Sequence, residues 1–211
     1  MLEEIKAAWA VYCIAFQRWW DLAVEMMLLN IVVVLVSMTV VLAPLALFGM
    51  FYCTSVMVYG EDYGIGRTFS LVYEGAKKYW RAAWIWFVAN ALILLVMLVN
   101  IMYYEKIDAF WAVLLRSFFI VMLVLWLMIQ IYAVAYFFEQ HQKSVRVALK
   151  NGFLTLFAAP IFSLMVCGGI MLLAVLFSGL FVPVFLGGMP LLSFISNAAV
   201  INRIKKYKLR K

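Results

Sequence analysis

From Met26 to Gly60 the chain runs for thirty-five residues without an Asp, Glu, Lys or Arg, and only Pro44 interrupts it. As one helix, at about 1.5 Å per residue, the stretch would be about 50 Å long, against a bilayer hydrocarbon core of about 30 Å. A single straight crossing cannot use it all. Proline lacks the donor that a continuing helix needs and disfavours helix at the residue before it, so the stretch reads as a helical hairpin that turns near Ala43-Pro44. The chain is therefore expected to be an integral membrane protein. Its composition agrees, with 69% hydrophobic and 13% charged residues where soluble domains run near a half and a quarter.

The remaining apolar runs divide in the same way. Ala82–Tyr104 is uncharged and bracketed by Trp84, Trp86, Tyr103 and Tyr104, and Phe110–Phe138 returns after the short loop Glu105-Lys106-Ile107-Asp108. Asn151–Asn202 is again too long for one crossing and is broken by Pro183, Gly187-Gly188 and Pro190, which places spans at about Ala159–Ser178 and Val184–Ile201. The expected fold is all-α: a polytopic transmembrane helical bundle of about six spans, in three hairpins over 22–59, 82–138 and 159–201. All belong to a single membrane domain.

Three segments are amphipathic rather than spanning. Residues 1–21 carry Ile5, Trp9, Tyr12, Phe16 and Trp19 at helical spacing and read as an interfacial helix. Residues 67–81 set Phe69, Val72, Tyr73, Ala76, Tyr79 and Trp80 against Ser70, Glu74, Lys77, Lys78 and Arg81, and residues 142–156 repeat the pattern with Lys143, Arg146 and Lys150 on the polar side. A basic tail occupies 202–211. With three hairpins, fifteen of the seventeen Lys and Arg fall on the side of the two arms and the termini. The positive-inside rule makes that side cytoplasmic. A five-span version moves only two of these charges, so the sidedness of the arms is firmer than the span number.

Little in the chain signals reaction chemistry. Cys13, Cys53 and Cys167 are far apart and form no CxxC pair, and the one histidine, His141, stands at a span boundary. Gly64-Ile65-Gly66 has neither a preceding strand nor a following Lys-Ser/Thr, so it supports no phosphate cradle. No catalytic residue, cofactor or metal is expected, and the net charge of +7 points to anionic headgroups rather than nucleic acid. Ionisable and amide side chains inside spans are the default suspects for function in a bilayer. Glu25 and Arg116 each stand near a span end and within reach of headgroups, which snorkelling explains as well as function does. Asn30, Asn90 and Asn197 either line a solute path or hold helices together. The arms, with Lys77, Lys78, Arg81, Lys143, Arg146 and Lys150, either anchor to anionic lipid or dock a partner.

The run Phe16-Gln17-Arg18-Trp19-Trp20-Asp21-Leu22, Asn30 opening an aliphatic span and Pro44 before a second helix resemble the start of the YesL-like family of bacterial membrane proteins. The aromatic-basic arm Phe69–Arg81, the stretch Ala148-Leu149-Lys150-Asn151 followed by Pro160 and the ending Asn202-Arg203-Ile204-Lys205-Lys206 extend the resemblance over nearly the whole chain. Met38-Thr39 and Ala43-Pro44 stand where members carry Leu-Pro and Gly-Pro. Members are often encoded beside carbohydrate-uptake ABC transporters and sugar-degrading enzymes. The resemblance implies a bacterial inner-membrane protein with cytoplasmic termini. It further implies a non-enzymatic accessory or assembly component of a carbohydrate ABC transport system, in contact with its permease or ATPase subunits. A stand-alone small-solute transporter or channel is the alternative, and a homo-oligomer is compatible with either.

Overall fold

In a computed structural model of the protein, which describes residues 1–60, 64–180 and 187–208, every described element is α-helical. Helix α1 (Leu2–Asp21) opens with Glu3 and Glu4 and closes with Arg18, charges that complement its dipole. At Leu22 the chain bends by 90° into α2 (Ala23–Ser37). The turn over residues 38–42 follows, closed by Thr39, whose hydroxyl donates to the Val36 carbonyl and accepts from the Leu42 amide. Pro44 then sits in the first turn of α3 (Ala43–Met57), where its missing N–H costs nothing. The first apolar run does turn just before Pro44, but each arm of that turn is only 15 residues long.

The first amphipathic arm and the span after it follow one another within α4 (Ile65–Glu105), which is kinked where the two meet, at Tyr79 (φ −113°, ψ 18°). Helix α5 (Phe110–Glu139) returns beside it, and α6 (Val145–Ala158) carries the second arm. Ala159, preceding Pro160, leaves helical conformation and separates α6 from α7 (Pro160–Leu180). Gly187 (φ 93°) leads into α8 (Gly188–Lys208), so Gly188 and Pro190 begin this helix instead of kinking it. The expected tail is helical as far as Lys208. The polar turn at Glu61–Tyr63, the turn at Pro183 and the last three tail residues lie outside the described residues.

Two helical hairpins share a plan. The first half of α4 folds back on α3 at very close range: a Cβ on Gly75 would stand 2.6 Å from the Cβ of Tyr52, and one on Gly49 would stand 2.5 Å from the Val72 carbonyl oxygen. Helix α6 folds back on α5 through Gly152 in the same manner. Small residues let two backbones approach closely enough for dispersion to hold them where no hydrophobic effect operates between helices. In each copy the amphipathic helix is followed by a break, at Tyr79 or at Ala159, and then by a long apolar helix. An aromatic cluster joins the copies: Phe48 meets Trp86, Phe137 and Phe138 edge-on, and Tyr79 meets the same two phenylalanines.

The centre of the bundle is α8, buried along nearly its whole length between α1 and α7 on one side and α3 and α5 on the other. Helix α1 runs antiparallel to it. At one end Glu4 pairs with Arg203 at 2.7 Å and with Lys206; at the other Trp19 donates to the Gly187 carbonyl at 3.0 Å. Between them the Tyr12 hydroxyl donates to the Met165 and Val166 carbonyls of α7.

Helices α4, α5 and α7 are long and apolar enough to cross a membrane, and the bent pair α1–α2 would be a fourth. The most apolar stretches of α4 and α5 are only 11% buried inside the protein. Nine large apolar side chains of α4 between Ile85 and Tyr103, and eleven of α5 between Phe110 and Leu127, are exposed, a surface that suits hydrocarbon.

Replacing Glu4 by Gln leaves the Arg203 guanidinium buried without its anion. The unfolding midpoint in mild detergent is expected to fall by the equivalent of about 3 kcal/mol, whereas Lys206→Gln costs no more than about 1 kcal/mol. Equal effects would show that the pair does not anchor α1. Val40 has a positive φ of 56°, which a β-branched residue adopts at a cost. Val40→Gly is expected to stabilise the protein by about 1 kcal/mol in the same assay.

Candidate functional site

The two arms meet at the C-terminal end of α5. Tyr79, at the end of the first arm, packs on Phe137 and Phe138, and Lys143, just before α6, donates its ammonium to the Phe138 carbonyl at 2.5 Å. Burial and the neighbouring Lys78 ammonium hold Lys143 below the ordinary lysine range, with Glu139 pulling the other way. Lys78 and Lys143, sixty-five positions apart in the chain, thus both stand at Phe138, Lys78 over the Tyr79 ring that packs on it and Lys143 on its carbonyl. Lys77 lies 5.7 Å from the Tyr73 ring, Lys78 5.4 Å from Tyr79 and Arg81 5.2 Å from Trp80, so each of these three cations rests on an aromatic face. Arg146 and Lys150 follow along α6. All six side chains are exposed.

The acids nearby are already engaged. Glu74 accepts from Arg67 at 2.6 Å and from Ser70 at 3.1 Å, and those bonds hold its carboxyl below the usual range. Glu139 accepts from the Tyr59 hydroxyl at 2.6 Å; burial first, and this carboxylate second, push the Tyr59 phenol up. Among the described residues the face formed by the arms is thus net cationic and complementary to an anionic surface.

The intramembrane amides bond mainly to the protein itself, although Asn197 Oδ1 and Gln130 Nε2 are buried without a hydrogen-bond partner. Asn30 is fully buried and its Oδ1 accepts the Met189 amide of α8 at 3.2 Å, capping from α2 a helix end whose first N–H groups have no partner within the helix. Asn90 donates to the Trp86 carbonyl at 2.8 Å and accepts from the Trp126 indole at 3.0 Å, while Trp86 donates to Gln130, so α4 and α5 are stitched twice. Asn197 donates to the Thr54 hydroxyl at 3.0 Å, which also receives Ser193, joining α8 to α3. Three clefts of about 880, 740 and 410 Å³ occur among the described residues, and these asparagines line none of them. Arg116 pairs with Glu105 at 3.1 Å across the α4–α5 turn, both groups well exposed. Glu25, in the first turn of α2, is half-buried and favourably placed for the helix dipole.

Arg203, which the sequence places in a solvated tail, is fully buried and its guanidinium stands 3.5 Å from the centre of the Phe162 ring. A signal exists in the sequence: Ser196, Ala199, Val200 and Arg203 follow helical spacing along the buried face of α8, so the core stripe runs on into the basic segment. Among the described residues no three His, Cys, Asp or Glu come close enough together to hold a metal ion.

No family model matches the chain, and no curated protein or solved structure is significantly similar to it.

Asn30→Ala removes the cap on α8 and Asn90→Ala leaves the Trp126 N–H unpaired. Each is expected to destabilise the protein by about 1 to 2 kcal/mol in a detergent unfolding assay. An Asn30→Ala variant as stable as wild type would show that the Met189 amide does not depend on this cap.

Proposed function

We propose that the protein is a non-enzymatic, multi-pass component of a bacterial plasma membrane that docks through its basic face onto another membrane complex. The resemblance to the YesL-like family makes a carbohydrate ABC transport system the partner to look for, as accessory or assembly factor. The observation that carries the reading is the junction of the two arms at the C-terminal end of α5, where Tyr79 packs on Phe138 and Lys143 donates to its carbonyl, with the exposed Lys77, Lys78 and Arg81 on one arm and Arg146 and Lys150 on the other. Rim charges of this sort steer association and select partners more than they bind tightly. In this reading that end faces the cytoplasm together with both termini, and α4, α5 and α7 cross the bilayer. The six-crossing arrangement adds α1–α2, α3 and α8, of which α2 and α3, about 22 Å each, reach only part of the way through.

The alternative, a stand-alone solute transporter or channel, needs Asn30, Asn90 and Asn197 to face a common path. Their engagement in hydrogen bonds between helices weighs against it.

Mild-detergent purification of the tagged protein from its native membrane, with the stoichiometry of what accompanies it, tests the proposal. A permease or ATPase is expected at a fixed ratio, and Glu at positions 77, 78, 81, 146 and 150 should release it while leaving membrane insertion intact. A complex that survives the charge reversal would remove the basis for docking through the arms. Solute flux in liposomes holding this protein alone would replace the proposal with the transporter.

A further inference from the structure

The cleft of about 740 Å³ lies between the second half of α2, the start of α3 and the first arm on α4. Its floor is aliphatic, built from Val33, Val36, Leu45, Ala46 and Val72. One charged side chain lines it, Lys77, and it does so at the edge, beside the exposed rings of Tyr73 and Trp80. Arg81 lies over the outer ring of this pair, 5.2 Å from Trp80. No acid lines the cleft, and Glu74, the nearest in sequence, is bonded to Arg67 and Ser70.

A hydrocarbon groove with two cations and two aromatic rings at one end has the polarity of an acidic amphiphile turned inside out. Tyrosine and tryptophan favour the headgroup level of a bilayer, and each Lys or Arg near that level attracts anionic lipid. The groove also opens where the strained turn at Val40 leaves Val32 and Leu42 exposed, giving a side entrance from hydrocarbon. We propose that this groove is a specific site for one acidic phospholipid, with an acyl chain along Val33, Val36, Leu45 and Ala46 and the headgroup phosphate between Lys77 and Arg81. The site deepens the docking proposal by assigning these two cations to lipid, yet it stands on the shape and polarity of the groove and holds whether or not a protein partner exists.

The larger cleft between α1, α7 and α8 differs in kind. The Tyr12 hydroxyl and the Trp19 indole there point into backbone carbonyls, so its wall offers a ligand little but carbon and distinguishes no headgroup.

Native mass spectrometry of the full-length protein in mild detergent, titrated with phosphatidylglycerol or with phosphatidylcholine of identical acyl chains, tests the assignment. Wild type is expected to retain one phosphatidylglycerol in preference to phosphatidylcholine. Lys77→Gln and Arg81→Gln, both on the surface and harmless to folding, should each lower phosphatidylglycerol retention about fivefold and leave phosphatidylcholine unchanged. Ala46→Phe, which fills the floor, should lower the retention of both lipids, with its circular dichroism melt confirming the fold; if that variant does not fold, Val36→Phe at the half-buried wall takes its place. Equal retention of the two lipids by wild type, or unchanged selectivity in Lys77→Gln/Arg81→Gln, would overturn the proposal. Loss of a copurifying partner in that double variant with lipid selectivity intact would uphold docking and reject the lipid site, and the reverse would do the opposite.

Discussion

A guanidinium without water around it has to be answered by an anion, and in this protein that requirement fixes how the two ends of the chain meet. Arg203 is wholly enclosed, with Phe162 against its face and Glu4 at 2.7 Å. Desolvating a charge costs several kcal/mol even after relaxation, and an opposite charge in good geometry repays much of it. Helix α1 is therefore held along α8 by electrostatics at one end and by the Trp19 bond to Gly187 at the other. The pair ties α1 to α8 through two residues almost two hundred positions apart in the chain.

Around that axis the polar residues serve a common purpose. Asn30, Asn90 and Asn197 each complete a hydrogen bond that lipid would leave open, and each does so between helices. In water such bonds exchange for bonds to solvent and contribute little net. In hydrocarbon the competing partners are fewer, so a handful of amides with the close packing at Gly49 and Gly75 can set the arrangement of helices that share no hydrophobic driving force.

The all-α fold was legible in the sequence because charge-free runs and prolines are local signals, and the chain does turn just before Pro44. Two things were not. The seating of Tyr79, at the end of the first arm, on Phe137 and Phe138 joins residues some sixty positions apart and leaves no periodic trace. The enclosure of Arg203 likewise depends on Glu4, two hundred positions earlier, so composition alone reads a run of Arg and Lys as a tail. The basic residues of the arms can be picked out in the sequence, whereas the junction that sets Lys143 on the Phe138 carbonyl, against which Tyr79 packs, follows only from α6 folding back on α5.

The α4–α5 hairpin beyond Trp86 and Gln130 touches almost nothing but itself. Its base is clamped by the Trp86–Gln130 and Asn90–Trp126 bonds, and its far end carries Tyr103, Tyr104, Trp111 and the Glu105–Arg116 pair, groups that seek the opposite interface. With no neighbouring helix to fix its inclination, the membrane itself must do so: a thinner bilayer lays the hairpin over and a thicker one stands it up, at a cost of only fractions of a kcal/mol per ångström. The clamp residue Gln130 lies about two helical turns before Phe137 and Phe138, so the hairpin and the junction of the two basic arms share one base.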